Sequence, residues 1–109
     1  MDHKKPDLLQ GTLDLLVLKT LVPGPLHGYG IAQRILVASR EILAVQQGSL
    51  YPALHRLERK KLVVSEWREA ESGRMAKFYS LTKAGRKQLT SELDQWTLYA
   101  RAIGWVLES

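Results

Sequence analysis

A proline is the strongest local constraint in this chain. Pro52 sits within residues 48–63, Gly-Ser-Leu-Tyr-Pro-Ala-Leu-His-Arg-Leu-Glu-Arg-Lys-Lys-Leu-Val, where Leu50, Leu54 and Leu57 recur at i, i+4 and i+7 with Ala53 beside them. That spacing draws one apolar stripe along a helix and sets Pro52, His55, Arg56 and Arg59 on the opposite side. A proline deeper than the first turn removes an intrahelical hydrogen bond and collides with the preceding turn. The pattern therefore predicts a start near Gly48 or Ser49, with Ser49 as the cap. The expected element, 49–61, is short, clamped along one side and basic on the other. A helix that enters the major groove of DNA has this form, because its N-terminal residues meet the base edges. An ordinary amphipathic helix with a solvated charged face has it too.

The charge distribution separates the two readings. The chain carries a net charge of +5, and residues 49–61 hold Arg56, Arg59, Lys60 and Lys61 against Glu58, a local +3. More than half of the net charge in so short a stretch points to a polyanion partner, with solubility alone as the competing explanation. At 109 residues the chain is large enough for one modest core, and its three tryptophans argue against disorder. No apolar run reaches the roughly 18 residues of a membrane span. The opening Met-Asp-His-Lys-Lys-Pro does not read as a signal peptide. The absence of cysteine excludes a disulfide scaffold and thiolate chemistry and fits a cytoplasmic location.

Residues 8–22 form an expected first helix with Asp7 as its cap, apolar over more than one stripe and so buried on two sides, in part by something beyond its own domain. Pro23-Gly24-Pro25 stops it. A second helix is expected from about His27-Gly28-Tyr29 to Ser39, burying Ile31, Ala32, Ile35 and Leu36. Gly28 and Gly30 do not make a dinucleotide fingerprint, since no strand precedes them and Gln33 stands where the third glycine belongs. Residues 40–47 are too many for a minimal helix-turn-helix, and Ile42-Leu43-Ala44-Val45 could supply a short strand there. Residues 63–68 and 76–81 have strand composition around a polar link with Ser72-Gly73 at its middle, a hairpin whose tip carries Arg74. Helix, helix, helix, hairpin is the order of a winged helix. A basic wing tip would lie on phosphate or in the minor groove, unless Arg74 is merely a solvated loop residue.

Thr82 is the expected cap of a last helix from Lys83 to Leu107. Leu89, Leu93, Trp96, Ala100, Ile103 and Leu107 follow one another by 4, 3, 4, 3 and 4, a heptad seam on a helix that outruns a small winged domain. Leu98, Ala102, Trp105 and Val106 widen the apolar surface. A second copy of the chain covers such a seam economically, because a two-fold axis makes it self-complementary. Packing against the chain's own winged domain is the alternative. The organisation expected is a winged helix-turn-helix domain, 1–82, and a dimerisation helix, 83–109: mainly α, with a small β-hairpin wing.

Nothing in the sequence marks an enzyme. His3, His27 and His55 are scattered without metal-ligand spacing, and there is no phosphate loop or nucleophile elbow. No cofactor and no metal are expected. A winged helix used only as a protein-docking module is the second reading, and retained pairing without sequence-selective DNA binding would favour it.

Leu9-Gln-Gly-Thr-Leu-Asp-Leu-Leu, Leu26-His-Gly-Tyr-Gly-Ile, Gly48-Ser-Leu-Tyr-Pro-Ala-Leu-His-Arg-Leu-Glu and Gly73-Arg-Met-Ala-Lys-Phe-Tyr-Ser-Leu-Thr-Lys-Ala-Gly-Arg together resemble bacterial PadR-type transcriptional regulators over nearly the whole chain. The resemblance implies a dimeric winged-helix protein, usually a repressor, on an operator with dyad symmetry. It assigns Ser49, Tyr51, Pro52 and His55 to the major-groove helix, and Arg74 and Lys77 to a wing over 69–77. Arg56 and Arg59 are added as phosphate contacts from the helical projection. Some members bind flat aromatic effectors between the subunits near the C-terminal helix. Trp96 would line such a space here, with a packed seam tryptophan as the alternative.

Overall fold

The structure, a computed structural model, describes residues 8–109, with side chains from residue 12 onward. The expected Asp7 cap and His3 lie outside the described residues. The elements are α1 (Leu8–Thr20), β1 (Leu26–His27), α2 (Gly28–Ala38), α3 (Gln47–Arg59), β2 (Val63–Glu69), β3 (Met75–Leu81) and α4 (Lys83–Glu108). The three strands form one antiparallel sheet in the order β1-β3-β2.

The apolar periodicities become the core. Val17, Leu18 and Leu21 from the α1 region, Ile31 and Ile35 from α2, and Leu50, Ala53, Leu54 and Leu57 from α3 are buried together with Val63, Tyr79 and Leu89. Helix α1 contacts α2, α3 and α4, and of its side chains from residue 12 to 20 only Lys19 is exposed. The wrapping expected from a second molecule is therefore provided, for this part of α1, by the chain itself. Ala32 and Leu36 are half-buried at the edge of the core.

Helix α3 starts earlier than the proline rule allows. Gln46 holds the N-cap position without a side-chain hydrogen bond, Ser49 lies inside the first turn, and Pro52 falls in the second. The expected Ser49 cap is thus corrected. The carbonyl that loses its donor to Pro52 belongs to Gly48, a residue that is exposed, so the loss falls where the backbone is open to solvent.

The helix also stops earlier, at Arg59. Lys61 takes the left-handed conformation at φ 63°, while Leu62 N–H donates to Leu57 O at 2.9 Å and Lys61 N–H to Glu58 O at 2.9 Å. These bonds make a Schellman stop without its usual glycine. No glycine marks it in the sequence, and Lys60 and Lys61 belong to the turn rather than the helix.

Residues 42–45 are not a strand. Arg40 and Glu41 both take positive φ, and the Leu43 N–H donates to Ser39 Oγ at 2.9 Å, where a ladder would need it to reach another strand. Leu43 and Val45 pack on the core while Ile42 stands out in solvent. The third strand is β1 instead, pairing Leu26 with Tyr79 and His27 with Phe78.

Two caps set the remaining helices. His27 Nδ1 accepts the Gly30 N–H at 3.0 Å, which opens α2. Thr82 Oγ1 accepts the Gly85 N–H at 2.9 Å, as its N-cap position requires, and lies 2.8 Å from Lys61 O and 3.0 Å from Leu62 O. It joins the start of α4 to the end of α3. Gly85 allows that approach: a Cβ there would overlap the Leu62 carbonyl oxygen.

Candidate nucleic-acid interface

Opposite its buried stripe, α3 shows solvent a row of Gly48, Pro52, His55 and Arg59, with Ser49 exposed along its flank. The row follows from the stripe, since residues three and four apart share a face and these positions lie half a turn from Leu50 and Leu54. At the front of this surface the N-cap residue Gln46 makes no side-chain cap hydrogen bond, and the Ser49 N–H donates to the Gln46 carbonyl at 3.0 Å.

The two flanks of α3 are tied down differently. On one, Tyr51 leans over α2 and remains 38% exposed. Glu58 on that flank accepts a hydrogen bond from Ser65 Oγ at 2.7 Å, fastening the helix to β2. On the other, Arg56 Nη2 donates to Asp14 Oδ1 of α1 at 2.8 Å. The helical projection grouped Arg56 with Arg59 as a phosphate contact. In the structure Arg59 is exposed, whereas Arg56 is half-buried and held by α1.

The hairpin places its tip beside this surface. Ala70 N–H donates to Arg74 O at 2.8 Å and Gly73 N–H to Ala70 O at 2.9 Å, with Gly73 at φ 90°, where a glycine carries no steric cost. Arg74 is exposed, and Lys77 is half-buried opposite Trp67. Arg68 stacks over Phe78 at 4.8 Å and pairs with Glu66 at 3.3 Å, which stiffens the outer face of the wing. Between wing and helices runs an open groove of about 1020 Å³, lined among others by Tyr29, Tyr51, His55, Trp67, Arg74 and Lys77. The structure thus brings Tyr51, His55, Arg74 and Lys77 to one cleft, with Pro52 and Arg59 on the outward row of α3.

Sequence reasoning missed Tyr29 and Trp67, both largely exposed on this groove. Trp67 was accounted for as a strand former, and only the register that sets it opposite Lys77 shows where it faces. It missed Asp14 as well. The available signal was a lone carboxylate among Leu13, Leu15 and Leu16.

Away from this surface, α4 projects past the domain. Leu89 is buried in the core, but Leu93 (38%), Trp96 (43%), Ile103 (57%) and Leu107 (79%) become progressively more exposed, and Ala100 is exposed among them. The chain's own winged domain does not cover the seam beyond Leu89. No group of three or more His, Asp or Glu residues gathers in metal-binding fashion among the described residues. No helix among them is long and apolar enough to cross a membrane.

Comparison with known proteins identifies the family and the fold. Residues 17–91 match the family described as "Transcriptional regulator PadR-like family". The chain is 40% identical over 89 residues to the transcriptional regulator Rv3488 of Mycobacterium tuberculosis, covering 82% of this chain and 79% of that protein. A transcriptional regulator from Clostridium thermocellum superposes with a TM-score of 0.83 at 26% identity, covering 91% of this chain and 96% of its own. A PadR family transcriptional regulator from Eggerthella lenta does so with a TM-score of 0.79 at 31% identity, covering 94% and 88%.

Proposed function

The chain belongs to the PadR-like family of transcriptional regulators, and from that premise we propose that it works as a homodimeric repressor on a dyad-symmetric operator. The observation that carries this reading is the exposed row of α3 set across one groove from a wing that carries Arg74 and Lys77. Ser49, Tyr51, Pro52 and His55 meet base edges in the major groove. Arg59, Arg74 and Lys77 bind phosphate or the edge of the minor groove. The phosphate contacts supply most of the affinity and make it fall with salt.

Two copies pair through the uncovered α4 seam, Leu93, Trp96, Ala100, Ile103 and Leu107, continuing from Leu89 in the core. Pairing sets two α3 helices about one DNA turn apart, roughly 34 Å. A change in the angle between the paired α4 helices alters that spacing, which gives repression a route to release by population shift. Such a protein acts in the cytoplasm, where its DNA is.

The test is fluorescence anisotropy of a labelled duplex from upstream of the protein's own gene, at two salt concentrations, with random DNA as competitor. Tight, salt-sensitive binding that survives the competitor is the expected result. Weak binding abolished by random DNA, with pairing intact, would replace the repressor by a docking module.

A further inference from the structure

Asp14 is the only charged residue in Leu13-Asp14-Leu15-Leu16-Val17-Leu18, the most apolar part of α1, and it is half-buried. Its Oδ1 holds Arg56 Nη2 at 2.8 Å, joining residues 42 positions apart in the chain. On α3, Arg56 stands about 110° from the middle of the buried stripe and about 60° from Arg59 on the exposed row, at 100° per residue. Its guanidinium is on the border of the DNA-facing surface, on a stem long enough to cross that border.

We propose that Asp14 withholds Arg56 from the DNA backbone and so helps set how strongly the protein prefers its operator to random duplex. The inference rests on α3 being the reading helix. Phosphates look alike on every sequence, so a free arginine at this border tightens binding to all duplexes and adds no discrimination. A carboxylate within hydrogen-bond distance gives that arginine a partner with the shape and charge of a phosphate. Asp14 is a positioning residue: it touches Arg56, not DNA. The same bond holds the flank of α3 against α1 and so resists rotation of the exposed row about the helix axis.

The readout is the slope of log Kobs against log salt concentration, measured on operator and random duplexes. Asp14→Asn removes the negative charge that holds the guanidinium and leaves only a neutral amide acceptor, which a phosphate outcompetes. The slope should therefore steepen by about 0.9, the amount one added phosphate contact contributes. Random-duplex binding should tighten more than operator binding, lowering the ratio of the two. Arg56→Ala should keep the native slope, and Asp14→Asn combined with Arg56→Ala should return to it. Asp94→Asn on the exposed face of α4 makes the same change in net charge away from α3 and should leave the slope unchanged. A merely structural role for Asp14 would weaken both duplexes together without changing the slope.

If Asp14→Asn matches the native slope, or if Arg56→Ala loses about one unit because Arg56 already sits on phosphate, the inference is overturned. Where Asp14→Asn folds poorly, Arg56→Ala still tests the premise, since a loss of about one unit of slope overturns the inference by itself. A native protein that binds all duplexes alike would remove the operator reading while leaving the slopes readable, so the two ideas fail separately.

Discussion

The Tyr51 side chain lies across Gly28, its hydroxyl in the space that a Cβ at residue 28 would need, with Cζ 2.8 Å from that position. The first residue of α2 thereby sets the direction of a side chain of α3 that lines the groove beside the wing. Gly28→Ala is expected to fold, since the far end of a tyrosine can swing aside, but to displace Tyr51. The operator preference should fall in Gly28→Ala and likewise in Tyr51→Ala, with random-duplex affinity little changed in either variant. Competition anisotropy checks the first point and circular dichroism the fold.

Thr82 and Gly85 carry the junction between α3 and α4. Thr82→Ala should cost about 1–2 kcal/mol, the range for a lost helix cap, with added loss from the unmade contacts to the Lys61 and Leu62 carbonyls. Gly85→Ala should cost about 1–3 kcal/mol, because its Cβ meets backbone, which cannot swing away. Urea unfolding monitored by tryptophan fluorescence measures both.

Lys61 holds the left-handed position that ends α3. Lys61→Gly should stabilise the fold by about 1 kcal/mol, the approximate cost of that conformation for a residue with a Cβ. A lower urea midpoint than the native protein's would contradict this.

Tyr79 is buried, and its phenol is raised above the usual tyrosine range by desolvation first, then by the Glu58 carboxylate and by Tyr51. A raised folded-state pKa means that the fold disfavours the phenolate. Its contribution is complete below the unfolded value of about 10 and is lost as pH rises through the higher folded value. Stability measured from pH 8 to above 10 should therefore fall more steeply for the native protein than for Tyr79→Phe.

Ile103 is more than half exposed on the seam of α4. Ile103→Asp should leave the winged domain folded and convert the proposed dimer to a monomer, because pairing about a two-fold axis would bring each new carboxylate into the opposing apolar surface. Sedimentation velocity reads the change in mass. A native protein that sediments as a monomer would instead sink the dimer.

Much of the candidate interface was legible before the structure, and for a common reason. The stripe Leu50, Leu54 and Leu57, the hairpin around Ser72-Gly73, the Thr82 cap and the α4 seam are periodic or local patterns, spelled out within a few turns of chain. Each is written by one element about itself. The exposed face of α3 came with the buried one, as its complement.

What failed had no local signature. The α3 termini were misread because the hydrogen bond that Pro52 removes counts for less where the orphaned carbonyl belongs to a residue as exposed as Gly48, and because Lys61 stands where a glycine would have shown the stop. Residues 42–45 have the composition of a strand, but Ser39 takes the Leu43 N–H, and the open edge of β3 goes to Leu26 and His27.

The sequence by itself determined which residues turn inward, where the hairpin bends, and that the last helix carries more apolar surface than one small domain can cover, because hydrophobic period and cap chemistry are local. Only the tertiary structure decided that Arg56 faces Asp14 while Arg59 stays free, and that Tyr51 rests on Gly28. Those outcomes depend on how helices cross, which is settled by packing among residues far apart in the chain and leaves no trace in the spacing of any one segment.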